Sequence, residues 1–325
     1  MTAPGTLDGT RGSARTPRGF LHGTPYLAIQ AAALLLMTAS VATRLWSDYP
    51  WLGPTLVVVA LAAWAPELRL RRPRGWWFAY VAGIFVYTLL RAVADETAIP
   101  IRTAYVIDID QALFFGHDPV TVLQSRLFSP DRVTLLDVLA VQVHWSFFLA
   151  PHALAVYVFW RHREQFAGYT VLVLGTMYLG LVLFFLLPTT PPWLAAQEGA
   201  LEGAYRVMDF VGGRVNSDSY QSFYASLGEP NSVAAMPSIH MGVTFAMYLW
   251  ARGTRPRLAG VLLAYTAVMG LALVYLAEHY ALDLAVGVIC ATGAYAVARW
   301  RALLPAASGR AVVEARPVGL ESEVA

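Results

Sequence analysis

The sequence contains no lysine, a single cysteine and few charges of either sign, and each shortage closes off a class of function. With Cys290 alone, the chain can build neither an intramolecular disulfide nor a cysteine-based metal or redox site. All 23 basic residues are arginine, set against 21 acidic ones for a formal net charge of +2. The arginines fall in short clusters and form no continuous basic face, so a nucleic-acid partner is excluded. Their uniformity, together with abundant Ala and Gly, reads as GC-rich codon usage. Only 14% of the 325 residues are charged and 57% are hydrophobic, which places the chain among polytopic membrane proteins.

Apolar runs near the length needed to cross a bilayer of about 30 Å occur at 26–46, 50–66, 76–94, 133–160, 167–187, 236–251, 258–277 and 281–299. They predict an all-α membrane bundle of about eight spans, with the last six as its core. The run at 50–66 is a weaker span than most, being short and containing Pro54. The run from Tyr26 to Trp46 is longer than a signal-peptide core of about 7 to 15 residues and reads as a retained anchor. The predicted organisation is a disordered tail at 1–25, a transmembrane hairpin at 26–66, a main membrane domain at 75–303 and a second disordered tail at 304–325. Arginines collect at 11–18, 69–74, 161–163, 252–257 and 299–301, in alternate connections. The positive-inside rule then puts both termini in the cytoplasm and the connections at 95–132 and 188–235 outside the cell membrane.

Those two outer connections are the longest in the protein and carry Asp108, Asp110, Asp118, Asp209, Asp218 and Glu229. Long loops of this kind are where a site is covered. In FFGHDPVTVLQSRLF, Phe114 to Phe128, Asp118 precedes Pro119 as an N-cap precedes a first-turn proline. The amphipathic residues that follow predict a short helix lying at the membrane interface.

Two polar intrusions into apolar sequence carry the chemistry. MPSIH at 236–240 opens one apolar segment, and HYALD at 279–283 sits at the junction of two more. The spacing of His279 and Asp283 puts them on one helical face, and the topology places His240 at the same membrane depth. A carboxylate that accepts the proton of one ring nitrogen fixes the imidazole tautomer and leaves the other nitrogen to attack phosphorus. A second histidine can then donate to the leaving oxygen and later deprotonate the acceptor. Pro237 starts a helix whose N–H groups favour a phosphate, and Ser238 adds a hydroxyl. Taken singly, each of these groups is as well explained by a hydrogen bond inside a helix bundle; their joint spacing and sidedness favour a site.

These residues resemble the second and third signature motifs of the type-2 phosphatidic acid phosphatase superfamily, and LPTTPPW at 187–193 with FFGHDPVTVLQ resembles its inositol phosphorylceramide synthase branch. The resemblance makes the domain at 75–303, with the last six spans, a catalytic core, and implies His279 as nucleophile, Asp283 as its orienting partner and His240 as acid/base. It implies a phospholipid or lipid-phosphate substrate held in the bilayer, with neither cofactor nor metal. Either headgroup transfer to a lipid or polyol hydroxyl, or hydrolysis by water, fits the same residues. A non-catalytic membrane scaffold or transporter is the alternative of another class. The sequence departs from the phosphatases where Leu273 takes the place of the arginine six residues before the nucleophile. The pairs Arg72-Pro73, Arg255-Pro256 and Arg316-Pro317 all fall on the cytoplasmic side and supply no first motif. Glu278 stands where the synthase branch often has a histidine.

Candidates for the missing counter-charge follow from position. Arg91 lies in an apolar helix toward its outer end, where an arginine either serves a site or snorkels and pairs with Asp95. Arg206 and Arg214 read as solvated loop residues with a lesser claim. His144 and His152 either border the pocket or make helix–helix hydrogen bonds. His117 and Asp118 are turn and cap residues with a possible substrate role. In PTTPPW, Pro192 ends a helix and Trp193 joins an interfacial aromatic belt, while the resemblance gives both a part in the headgroup pocket.

Overall fold

A backbone surrounded by lipid has to satisfy its own N–H and C=O groups, so apolar runs of bilayer length fold as helices. The computed structural model of the chain describes residues 28–33, 35–36, 39, 73–92, 94, 99–215, 233–301 and 303–304. The chain divides into two compact units, 1–78 and 79–325. In the first, residues 28–33, 35–36 and 39 are helical. The run at 50–66, the tail at 1–25 and, apart from Leu304, the tail at 304–325 lie outside the described residues, as do Asp95, Asp218 and Glu229.

Helix α1 (Pro73–Ala92) leads into the second unit, followed by α2 (Ala104–Leu113), α3 (Pro119–Leu127), α4 (Leu135–Ser146) and α5 (Ala150–Arg161). The rest are α6 (Arg163–Leu186), α7 (Pro192–Gln197), α8 (Val207–Val215), α9 (Ile239–Ala251), α10 (Pro256–Tyr275) and α11 (Ala281–Trp300). The described residues are all-α apart from one isolated bridge, Thr189 with Ala234.

Helices α6, α10 and α11 are each long and apolar enough to cross a membrane, and α4 with α5 form a pair that passes the same test but is bent by 43°. The single span expected at 133–160 is therefore broken. Pro151 has no N–H to continue the helical ladder, so α4 ends in tight backbone bonds, Phe147 N to His144 O at 3.2 Å, and α5 restarts with the proline in its first turn. Helix α9 has only 13 residues, too few at about 1.5 Å rise per residue to span a bilayer alone. Helix α1 has 20 residues, but Tyr, Trp and Arg dilute its apolar character.

Helix α9 is the centre of the bundle, packed against α5, α6, α10 and α11. It is apolar on every side, which suits an element enclosed by others: Val243, Ala246, Met247, Leu249 and Trp250 are all buried. The outward faces of its neighbours stay apolar too, with Val182 on α6, Val261 and Leu271 on α10, and Ile289 on α11 exposed, as lipid contact requires.

The crossing of α9 and α11 is built on glycine. A Cβ on Gly287 would run into the carbonyl oxygen of Ser238 and come within 3.1 Å of the Gly242 nitrogen, while one on Gly242 would lie 2.9 Å from the Gly287 oxygen. Small residues allow this backbone approach in membrane bundles, and here it sets the distance between the segments that carry His240 and His279. Gly287→Ala is expected to lower stability by about 1–3 kcal/mol, the usual cost of overpacking. Thermal unfolding in detergent would read this as a lowered midpoint; an unchanged midpoint with unchanged turnover would contradict the tight crossing.

Candidate active site

Helix α10 closes in a Schellman motif: Glu278 N–H reaches Leu273 O at 3.0 Å and Ala277 N–H reaches Val274 O at 3.1 Å. Ala277 occupies the left-handed position at φ 62°, a conformation that costs a residue with a Cβ and that recurs near functional sites. The turn ends at His279, immediately before the N-cap of α11.

Asp283, in the first turn of α11, holds that histidine. Its Oδ2 lies 3.2 Å from His279 Nδ1 and accepts the Tyr280 N–H at 2.9 Å. The backbone bond fixes the carboxylate, and the carboxylate fixes the ring with Nδ1 as donor and Nε2 as lone pair. A second carboxylate braces the same helix start from outside: Asp110 on α2, fully buried, accepts the Ala281 and Leu282 N–H groups at 2.8 and 2.9 Å. Burial pushes its carboxyl up to about 6, against the pull of those two donors. In the sequence Asp110 is one acid among several in an outer loop; nothing local marks it as a helix cap, because the helix it caps lies 171 positions away.

His240 stands in the first turn of α9. Its N-cap, Ser238, is fully buried: Oγ accepts the Met241 N–H at 3.2 Å, and the Ser238 N–H donates to Asp283 O at 3.0 Å. Helix α9 is thereby tied to the residue that orients His279. His240 Nδ1 lies 3.4 Å from His279 Nε2. The His240 ring is packed between His144 and Phe147, with centroids 4.7 and 4.4 Å away.

Both histidines open onto a cavity of about 340 Å³ whose walls are mostly apolar, including Ile84, Phe147, Met177, Phe184 and Val243. Arg91 and Trp193, both expected from the sequence as substrate contacts, also border it. Ser238, Pro192, His117 and Asp118 do not. Pro192 is buried in the first turn of α7, and His117 is exposed. Asp118 caps α3, accepting the Thr121 N–H at 3.0 Å. His144 and His152 line the cavity as well; His152 also bonds Tyr80 OH through Nδ1 at 2.9 Å. Among the described residues no three His, Cys, Asp or Glu side chains are grouped as metal ligands.

Arg206 differs from its sequence reading. Far from being solvated, its side chain is 12% exposed and borders the cavity. The guanidinium lies 4.1 Å from the centre of the Trp193 ring, and Nε donates to Glu278 Oε1 at 3.2 Å. The residues that bury it come from α7 and from the turn before α11, neither adjacent in sequence.

The sequence profile described as the PAP2 superfamily matches residues 104–297, from the start of α2 almost to the end of α11. The inositol phosphorylceramide synthase catalytic subunit AUR1 of Saccharomyces cerevisiae is 26% identical over 268 residues, covering 74% of this chain and 64% of that protein. The chain thus spans just under two thirds of the length of that relative. No solved structure matches the chain.

Proposed function

The chain belongs to the PAP2 superfamily, and on that premise we propose that it is an integral membrane phosphotransferase. It moves a phosphate-linked headgroup, of the inositol phosphate kind, from a phospholipid to a lipid or polyol hydroxyl through a phosphohistidine. The observation that carries this reading is the run of contacts from His240 through His279 to Asp283 on a cavity whose walls are mostly apolar.

In the first half-reaction Nε2 of His279 attacks phosphorus. An N–P bond forms, the P–O bond to the diacylglycerol oxygen breaks, and protonated His240 gives that oxygen its proton. In the second, the acceptor hydroxyl attacks phosphorus, the N–P bond breaks and His240 takes the hydroxyl proton, which restores both residues. Asp283 holds Nδ1–H throughout and offsets the positive charge on the phosphorylated ring. The apolar walls suit acyl chains, and the few polar groups orient the phosphate. Similarity to a protein named as a synthase favours transfer over hydrolysis; with water as acceptor the same steps yield a lipid-phosphate phosphatase. The alternating arginine clusters favour cytoplasmic termini and a site opening at the outer face of the cell membrane.

The test supplies purified protein with headgroup-labelled phosphatidylinositol, and separately with labelled phosphatidate, each with and without a long-chain alcohol or a polyol. The expected product is a new labelled phospholipid or phosphorylated polyol that forms only with the acceptor present. Free phosphate from phosphatidate, with no acceptor product, would reassign the protein as a phosphatase. Conversion of neither donor would leave the scaffold or transporter reading.

A further inference from the structure

A phosphate at His279 needs a positive partner, yet Leu273 stands where the superfamily's phosphatases carry one signature arginine, and the Arg-Pro pairs are expected on the cytoplasmic side. The cation tied to the residue next to the nucleophile is Arg206. It is stacked on Trp193 and held at Nε by Glu278, the residue that directly precedes His279. The ion pair is half-sheltered, with side-chain exposures of 12% and 14%, and Arg206, Trp193, Glu278 and His279 all border the same cavity. A guanidinium fixed on one face and at Nε is pre-organised; its Nη1 also lies 3.6 Å from Oδ2 of the half-exposed Asp209, so a phosphate that takes the terminal nitrogens as a fork displaces that looser pairing.

The backbone behind Arg206 is fastened as well. Gln124 on α3 donates through Nε2 to Tyr205 O at 2.8 Å and to Tyr275 O at 2.7 Å, and its Oε1 accepts the Tyr205 N–H at 2.8 Å. The residue beside Arg206 is thereby bolted to the end of α10, the helix whose terminal turn presents His279.

We propose that Arg206 is the phosphate-binding cation of this site and that Glu278 is its built-in counter-ion, which aims the guanidinium and competes with the substrate phosphate for it. This rests on the lipid-phosphate reading above and adds the missing charge to it. It also accounts for an acid next to the nucleophile. Without a partner the buried arginine would be costly; Glu278, the more buried of its two carboxylate partners, and Asp209 balance it until an anion arrives. Inorganic phosphate and a phospholipid headgroup present the same oxygens to Arg206, so both report on it.

The experiment measures inhibition of turnover by inorganic phosphate, and its direct binding by calorimetry, for the full-length protein in nanodiscs. Arg206→Ala is expected to weaken phosphate binding about 10- to 100-fold, the range for loss of charge-assisted hydrogen bonds, and to raise KM for the lipid donor. Arg206→Lys restores little, since an ammonium cannot both stack on Trp193 and donate as a fork. Glu278→Gln keeps an oxygen to accept from Nε and removes the competing charge, so it tightens phosphate binding and lowers KM. That opposite sign is what a purely structural pair would not give. Unchanged phosphate affinity in Arg206→Ala, or weaker affinity in Glu278→Gln, overturns the inference while wild-type turnover leaves the lipid-phosphate reading standing. Absence of both turnover and phosphate binding in the wild type overturns the two together.

Discussion

His279→Ala is expected to abolish turnover, by about 10⁴- to 10⁶-fold on the scale seen when a covalent nucleophile is removed. The loss is chemical and not architectural. Asp283 would still accept the Tyr280 N–H, Asp110 would still cap Ala281 and Leu282, and the Schellman turn uses only backbone groups. The thermal midpoint should therefore stay close to that of the wild type while activity disappears. Rapid quenching with labelled donor sharpens the expectation. An N–P bond is labile in acid and stable in base, so the wild type should yield an adduct lost in acid and absent from His279→Ala. An adduct that persists in the alanine variant would remove His279 from the role of nucleophile.

The second large effect is expected at His240. General acid–base catalysis contributes about 10²- to 10⁴-fold, so His240→Ala should slow transfer of a natural headgroup by that amount. The signature lies in how the loss depends on the leaving group. A lipid alkoxide needs a proton as it departs, whereas a nitrophenolate does not. With a nitrophenyl phosphate ester, His240→Ala should form the phosphohistidine at nearly the wild-type rate. It should then accumulate, because the acceptor still needs a base. Equal slowing with both leaving groups would show that His240 acts by packing against His279 and not by moving a proton.

The helices that read most clearly in the sequence are those whose signal is length. The runs at 167–187, 258–277 and 281–299 match α6, α10 and α11 to within a few residues, because an apolar stretch of bilayer length has few other folds open to it. The break in 133–160 was hidden by apolar residues on both sides of it, and Pro151 was its only trace. The Asp118–Pro119 start of α3 was legible because a cap and its helix are neighbours in sequence. His240, His279 and Asp283 could be grouped from spacing and sidedness, and the structure brings them within 3.4 Å of one another along the chain of contacts. Arg206, Asp110 and Gln124 could not be read in this way. Each acts on a partner 72 or more positions distant, and only the packed bundle brings such partners together.

The bonds that reach into α11 also bear on how the protein is made. Ser238 leans on the carbonyl of Asp283, and Asp110 ties down Ala281 and Leu282; each meets a partner that leaves the ribosome after it does. Synthesis runs from the N-terminus, so His240 enters the bilayer ahead of the carboxylate that prepares its companion for attack. Throughout insertion the growing chain is bathed in phospholipid at enormous local excess. A reactive imidazole formed early would meet that lipid with no finished cavity to select it. On the proposed mechanism, with the orienting aspartate in the last of the described helices, the site becomes competent only late in assembly.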